Sequence, residues 1–376
     1  MNLQRTGAMA RKEWLHIIRD PRSLGMAIVI PMLLLVLFGY ALTLDVDRVG
    51  IAVWDQDNSS TSRELVSRFA GSVYFSVQPV TSYGEGERLI DQGKTLAALV
   101  IPADFSAQLG KTKPVEVQLI MDGSDSNTAT IAIGYAEATI QAFSREITLR
   151  ALQQHGVSSA SAPIELRPRV WFNSDMQSKN YIIPGLIAVI MMVIAALLTS
   201  LTVAREWERG TMEQLIATPV KGGELIIGKL LPYFAIGMFD VLLAVLMGQY
   251  LFHVPLRGSV GLLFGMAAIF LVGALSLGMV ISIVTKSQLL ASQLAMVLTF
   301  LPSFLLSGFM YSIANMPRPL QVMTHLIPSR YFVTLLKGIY LKGVGLETMA
   351  VEAGLLTLFA VVILMVAHLK FTKRLD

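Results

Sequence analysis

The chain has 376 residues, 54% of them apolar and 15% charged, with a mean hydropathy of +0.61. Soluble domains carry about 45–50% apolar and about 25% charged residues, so the composition excludes both an ordinary soluble enzyme and a disordered chain. There is no cysteine, which removes disulfides, thiolate metal sites and cysteine nucleophiles, and the net charge of +4 by itself points to no nucleic acid.

The chain opens on a segment, 1–22, whose stretch Gly7–Arg19 mixes Arg11, Lys12, Glu13, Arg19 and then Asp20 with Trp14, Leu15, Ile17 and Ile18. That pattern predicts an interfacial helix lying on a membrane surface and touching lipid. Ser23–Leu44 follows, 22 residues without a charge. A cleaved leader has an apolar run of only about 7–15 residues, so the block reads as a retained first span.

Residues 45–180 form a large loop with 12 Lys and Arg against 16 Asp and Glu, so the loop is acidic and the basic excess belongs to the rest of the chain. Its pattern alternates. Val49–Trp54, Tyr74–Val80, Leu96–Ile101 and Val115–Met121 read as strands. Ser60–Phe69, Gly84–Gln92, a segment through Leu109, and Asn127–Gln154 read as helices. Pro163–Phe172 is a further candidate strand. This is an α/β or α+β domain, long enough to hold its own core without staples. Asp55, Asp57, Asn58, Asp122 and Asp125 follow strand ends. They suit a cation, and they suit turns equally, so no metal is assigned.

Five more apolar blocks lie within 181–376: Tyr181–Ala204, Leu230–Phe252, Gly258–Thr285, Ser287–Pro317 and Thr348–Leu369. A span needs about 20 such residues, so the fold class is an α-helical polytopic membrane protein with six transmembrane helices and an inserted α/β domain. Thirteen Lys and Arg fall on the side of the termini and five in the opposite short loops. The positive side is cytoplasmic, which places both termini inside and the domain outside, in the periplasm.

Three features within the spans matter. Gly223–Lys229 mimics a phosphate-binding loop, but Leu230 stands where Ser or Thr would hold Mg²⁺ and no strand precedes it. The chain therefore carries no ATP site of its own. Asp240 is a lone charge 11 residues beyond Lys229, near mid-bilayer. Such a group either serves a pathway or bonds a neighbouring helix. Gly261, Gly265 and Gly273, beside Ala274, Gly278 and Ser282, form small-residue stripes that suit close packing inside one subunit.

Two segments flank the spans. Residues 205–219 hold Arg205, Glu206, Glu208, Arg209, Gly210, Thr211, Glu213, Gln214, Leu215, Ile216 and Pro219, a mixed-charge loop with a Gly break and a short helix. Residues 317–343 contain Pro328, Ser329, Arg330, Tyr331 and Phe332, apolar but too punctuated to span, which predicts a re-entrant helical pair.

Lys12–Arg22, Arg205–Leu215 with Thr218-Pro219, and Pro328–Phe332 together resemble the membrane subunit of bacterial type-2 ABC exporters, in the multidrug-type subgroup with a large periplasmic domain. The resemblance implies two separate ATPase subunits that hold ATP and Mg²⁺, a second permease, and a periplasmic adaptor protein. It implies that 205–219 is the coupling helix, with Glu206, Glu208, Arg209 and Glu213 making polar contacts and Leu215 and Ile216 as apolar anchors. It implies that the first helix connects to the membrane and that hydrophobic or amphipathic cargo is exported across the inner membrane. A receptor or assembly scaffold with a ligand-binding outer domain, and an ion-coupled carrier using Asp240, are the competing readings.

Overall fold

The computed structural model describes residues 2–42, 48–109, 115–154, 171–173 and 177–371. It divides into two compact units, Leu44–Arg169 and the remainder. The candidate strand Pro163–Phe172 falls almost wholly outside the described residues.

The chain starts with α1 (Leu3–Arg19), capped by the Asn2 side chain, which accepts from Gln4 N. Thr6, Met9, Glu13 and Ile17 share its buried face, while Trp14, Leu15 and Ile18 are exposed. Ile17 thus faces inward, apart from the other apolar residues read with it. Then comes α2 (Pro21–Ala41), with Pro31 inside it.

The inserted unit is built from β1 (Val49–Asp55), α3 (Ser60–Ala70), β2 (Phe75–Pro79), α4 (Tyr83–Asp91), β3 (Ala97–Ile101), α5 (Phe105–Leu109), β4 (Gln118–Met121) and α6 (Ser126–Gln154). Its sheet runs β2-β1-β3-β4, with β1 parallel to β2 and β3, and β4 antiparallel to β3. Two helical crossovers, α3 and α4, produce the parallel pairs. Alternation along the strands divides the core. Val49, Ile51 and Val53 meet Leu65 and Phe69 of α3 and Ala132, Ala136 and Phe143 of α6. On the other face Ala52 and Ala98 meet Leu89 and Ile90 of α4. The fourth strand begins three residues later than the sequence pattern suggests. The Asp55 carboxylate accepts from Asp57 N, Asn58 N and the Ser62 hydroxyl, so it closes a turn and braces the first turn of α3.

The helical unit resumes with α7 (Ser178–Glu208), α8 (Thr211–Ala217), α9 (Gly222–Tyr250), α10 (Val260–Thr285), α11 (Gln288–Leu306), α12 (Arg318–Met323), α13 (Pro328–Lys337) and α14 (Ala350–Lys370). Among the described residues five helical stretches are long and apolar enough to cross a membrane: α7, α9, α10, α11 and Leu346–Lys370. The apolar part described within α2 is the shorter Ala27–Ala41. The chain is a polytopic helical membrane protein. Its hub is α7, which packs against α2, α9, α10, α11 and α13. Leu294, Val297 and Leu301 of α11 and Val351, Leu358 and Met365 of α14 are exposed, which suits hydrocarbon rather than water.

Three boundaries correct the sequence reading. The uncharged block Ser287–Pro317 does not remain helical. It leaves α11 at Leu306 and turns through Gly308, whose φ of +78° favours a residue without Cβ. The helix assigned to Leu230–Phe252 starts eight residues earlier, at Gly222, so Lys229 lies inside α9. Arg205–Glu208 is no loop: these residues extend α7, and only Thr211–Ala217 forms a separate short helix.

The small-residue stripes divide. A Cβ on Gly278 would collide with the Ala196 carbonyl and the Thr199 hydroxyl of α7, and one on Gly273 would crowd Phe359 and Ala360 of α14. Gly265 meets nothing and Gly261 only touches Ser259.

Candidate functional site

At one end of the bundle α1, α7, α8 and α9 converge. The α7 helix ends at Glu208 with Arg209 as its cap, Gly210 turns with φ +68°, α8 follows, and Thr218-Pro219 leads into α9. Glycine supplies the left-handed backbone that this sharp reversal needs.

Lys229 sits at the centre of this convergence. Its ammonium lies 3.2 Å from Glu13 Oε2 of α1 and 3.1 Å from Glu206 Oε1 of α7, with its side chain 1% exposed. Lys12 Nζ reaches the same Glu206 oxygen at 3.0 Å. The Thr211 hydroxyl donates to Glu206 Oε2, which ties the first turn of α8 to the end of α7. The Tyr233 hydroxyl donates to Glu13 Oε1 at 3.4 Å. Glu13, Glu206 and Lys229 thus form a largely dry cluster in which each ion is bearable only while its partners remain, and the exposed Lys12 adds the second ammonium at its edge.

A second set of bonds fixes the loop after α8. Arg5 donates to the Pro219 carbonyl at 2.7 Å, and Glu224 accepts from Asn2 N at 2.6 Å and Lys221 N at 2.9 Å. Close packing supports them: a Cβ on Gly228 would stand 2.6 Å from Met9 Cβ. A third set ties the end of α7 to its neighbours. Glu208 accepts from Gln288 N of α11 at 2.7 Å and from its side-chain amide, Arg205 lies 3.1 Å from His16 of α1, and Lys286, the cap of α10, covers the Trp207 ring at 4.5 Å.

The sequence-assigned coupling residues thus fall into two groups. Glu206 and Glu208 are engaged within the chain, and Leu215, 8% exposed, packs with Met212 into the bundle core. Leu215 is therefore no outward anchor, because its side chain serves to seat α8. Arg209, Gly210, Glu213, Gln214 and Pro219 are exposed. Ile216 belongs to α8, but its side chain lies outside what is described. On α1, Arg11, Lys12 and Arg19 are exposed, Glu13 is buried and Asp20 is half-buried.

The Pro328–Phe332 segment lies elsewhere in the bundle. Pro328 opens α13, the Ser329 hydroxyl donates to Ser303 of α11 at 2.8 Å, and Phe332 stacks on Phe270 of α10 at 4.1 Å. Arg330 donates to the Gln321 carbonyl and the Tyr331 hydroxyl to the His325 carbonyl. These contacts hold α13 in place. Asp240 is buried on α9, and its Oδ1 has no hydrogen-bond partner among the described residues.

Sequence reasoning missed Lys229 and Tyr233. Lys229 counted only toward orientation and as the end of a false nucleotide loop. Its spacing of four from Tyr233, on a helix already under way, was the available signal, since it puts both on one face.

A family model described as "ABC-2 family transporter protein" matches residues 21–369. The "Probable multidrug ABC transporter permease YbhS" of Escherichia coli (strain K12) is 37% identical over 377 residues, covering 100% of this chain and 99% of that protein. The permease YbhR of the same strain, named in the same words, is 33% identical over 344 residues, 91% of each chain. The "Linearmycin resistance permease protein LnrN" of Bacillus subtilis (strain 168) is 22% identical over 369 residues, 92% of this chain and 94% of that one.

Proposed function

The chain belongs to the ABC-2 family of transporter proteins, and from that premise we propose that it exports a hydrophobic or amphipathic compound, drug-like or a lipophilic cation, and takes its stroke from an ATPase at α8. It is a permease subunit and no enzyme itself; its partners are ABC ATPase subunits, which are separate chains. In the proposal ATP and its magnesium sit on those subunits.

The observation that carries the coupling assignment is the split across α8. One face is locked to the chain by Met212, Leu215 and Thr211, while Glu213 and Gln214 point outward. A short helix held on one side and open on the other suits a rigid contact that passes on a push. Lys229, Glu13 and Glu206 join that contact to α1, α7 and α9, so the push would reach three helices together.

The finer arrangement extends the proposal. With α2 as the first of six spans, both termini and α8 lie in the cytoplasm of a bacterial inner membrane and residues 45–180 lie in the periplasm. The exposed Trp14, Leu15 and Ile18 of α1 suit a helix resting on lipid. A second permease completes the pathway, and the periplasmic domain meets an adaptor protein.

Glu213→Lys tests coupling directly. The variant should insert, keep the thermal stability of the parent and copurify less ATPase, with cargo-stimulated ATP hydrolysis reduced at least tenfold. Unchanged stimulation would remove α8 from the contact. Export that persists after cellular ATP is removed, while a proton gradient is held, would favour the carrier reading instead.

A further inference from the structure

Two cavities lie in series inside the helical unit. The larger, about 140 Å³, runs between α1, α2, α7 and α9, with His16, Asp20 and Arg205 at its polar end and Ile30, Leu201 and Ile236 among its walls. The smaller, about 10 Å³, is lined by Asp240, Gly237, Met191 and Leu271. Ile194, Leu198 and Tyr233 line both. On α7, Arg205 and Ile194 are 11 residues apart, roughly 16 Å along the axis. The larger cavity therefore leads from the charged end of the bundle toward the level of Asp240.

Asp240 is 1% exposed, and its Oδ1 lacks a partner among the described residues. A carboxylate in such surroundings is costly until an opposite charge reaches it. The side chains around it supply none: its cavity is otherwise lined by Met, Ile, Ala, Leu, Gly and the Tyr233 ring. A cation with hydrogen-bond donors would satisfy it and would gain most in so dry a setting. The cavity sizes limit its shape. A space of about 10 Å³ takes about one water-sized group, which suits an ammonium –NH₃⁺ better than a trimethylated head. The larger cavity matches one aromatic ring or a short alkyl body.

We propose that Asp240 and the paired cavities form a binding site for a primary ammonium compound with an apolar body, which enters past Arg205 and places its –NH₃⁺ on Asp240 Oδ1 between Leu198 and Tyr233. The site names the cargo class within the export reading and rests on that reading for its purpose. Tyr233 is shared with the ion cluster through its bond to Glu13, so the wall of the site and the coupling end move on one side chain.

The test uses the full-length permease in lipid nanodiscs and radiolabelled 2-phenylethylammonium, read against protein-free nanodiscs. Saturable binding is expected, weakened at least tenfold in Asp240→Asn. Leu198→Trp, which keeps the carboxyl and fills the passage, should weaken it equally. Unlabelled 2-phenylethanol and trimethyl(2-phenylethyl)ammonium, one uncharged and one too wide, should fail to compete. If Asp240→Asn does not fold, the alcohol competition still reads the charge requirement. No saturable binding, equal binding by Asp240→Asn, or equal competition by either analogue overturns the site. ATPase association is measured on the same preparations. An ATPase that binds a permease blind to the ammonium defeats this site alone, whereas ammonium binding without any ATPase defeats the export reading and leaves the site standing.

Discussion

Glu64 with Arg150 in the inserted domain and Glu13 with Lys229 in the bundle are the same chemistry in two solvents. The first pair is closer, 2.8 Å against 3.2 Å, yet its side chains are 29% and 48% exposed while Lys229 and Glu13 are 1% and 5% exposed. Distance ranks them one way and burial the other, and burial decides. Water already solvates both members of the exposed pair, so bringing them together changes little. In the bundle each ion depends on the other, so the pair matters chiefly when one member is removed.

The largest expected effect breaks the buried side of this comparison. Lys229→Ala leaves Glu13 and Glu206 facing each other without their shared ammonium. It should cost about 3–5 kcal/mol of stability, read as a lower thermal midpoint in detergent or nanodiscs. Adding Glu13→Gln should restore part of the loss, and a strictly additive double mutant would argue against a direct pair.

Gly278→Ala probes packing without charge. Its methyl group would press on the Ala196 carbonyl and the Thr199 hydroxyl, at about 1–3 kcal/mol for an overfilled contact. Gly265→Ala on the same helix meets nothing and should leave the midpoint unchanged or raised.

Glu64→Gln should cost less than Lys229→Ala and Gly278→Ala, and 0.5 M salt should erase its effect, while the Lys229→Ala loss survives the same salt. Acid gives a last contrast. The Arg150 hydrogen bond holds Glu64 below its ordinary value of 4.5. A lowered carboxyl stabilises the fold above its unfolded value and loses that contribution as pH falls through the folded one. Amide protection in β1 and β3, taken relative to the intrinsic exchange rate at each pH, should therefore fall below about pH 4.5. Protection factors that stay constant between pH 6 and pH 3 would show the exposed pair to be inert.

The same contrast marks what the sequence reveals. Span positions are legible because hydrocarbon forbids charge, and a run of about 20 uncharged residues needs no further context. The α/β alternation of the inserted domain is legible for a similar reason, since one face of each strand must be apolar. The ion cluster is not. Glu13 and Lys229 stand 216 residues apart, and no local pattern tells a lysine that orients a span from one buried against a distant glutamate. The same gap hid the orientation of Leu215. A seven-residue helix exposes two faces to different neighbours, and only the packed bundle shows that Met212 and Leu215 take the inner one. Glu206 and Glu208 read as polar contacts to a partner subunit because the residues that occupy them, Lys229 and Gln288, lie on other helices.

The seam between α7 and α10 brings two helices to short range. Besides the close approach at Gly278, the Thr199 hydroxyl lies 2.8 Å from the Leu275 carbonyl, and Ser282 Oγ accepts from Val203 N and Ala204 N. Only the short Thr199 and Ser282 side chains stand between the two backbones at these points, so there is little to deform. A displacement arriving at the end of α7 has no slack to take up there. Under the proposed coupling it would carry α10 along as one lever, and any give in the stroke would come from joints where longer side chains are in contact.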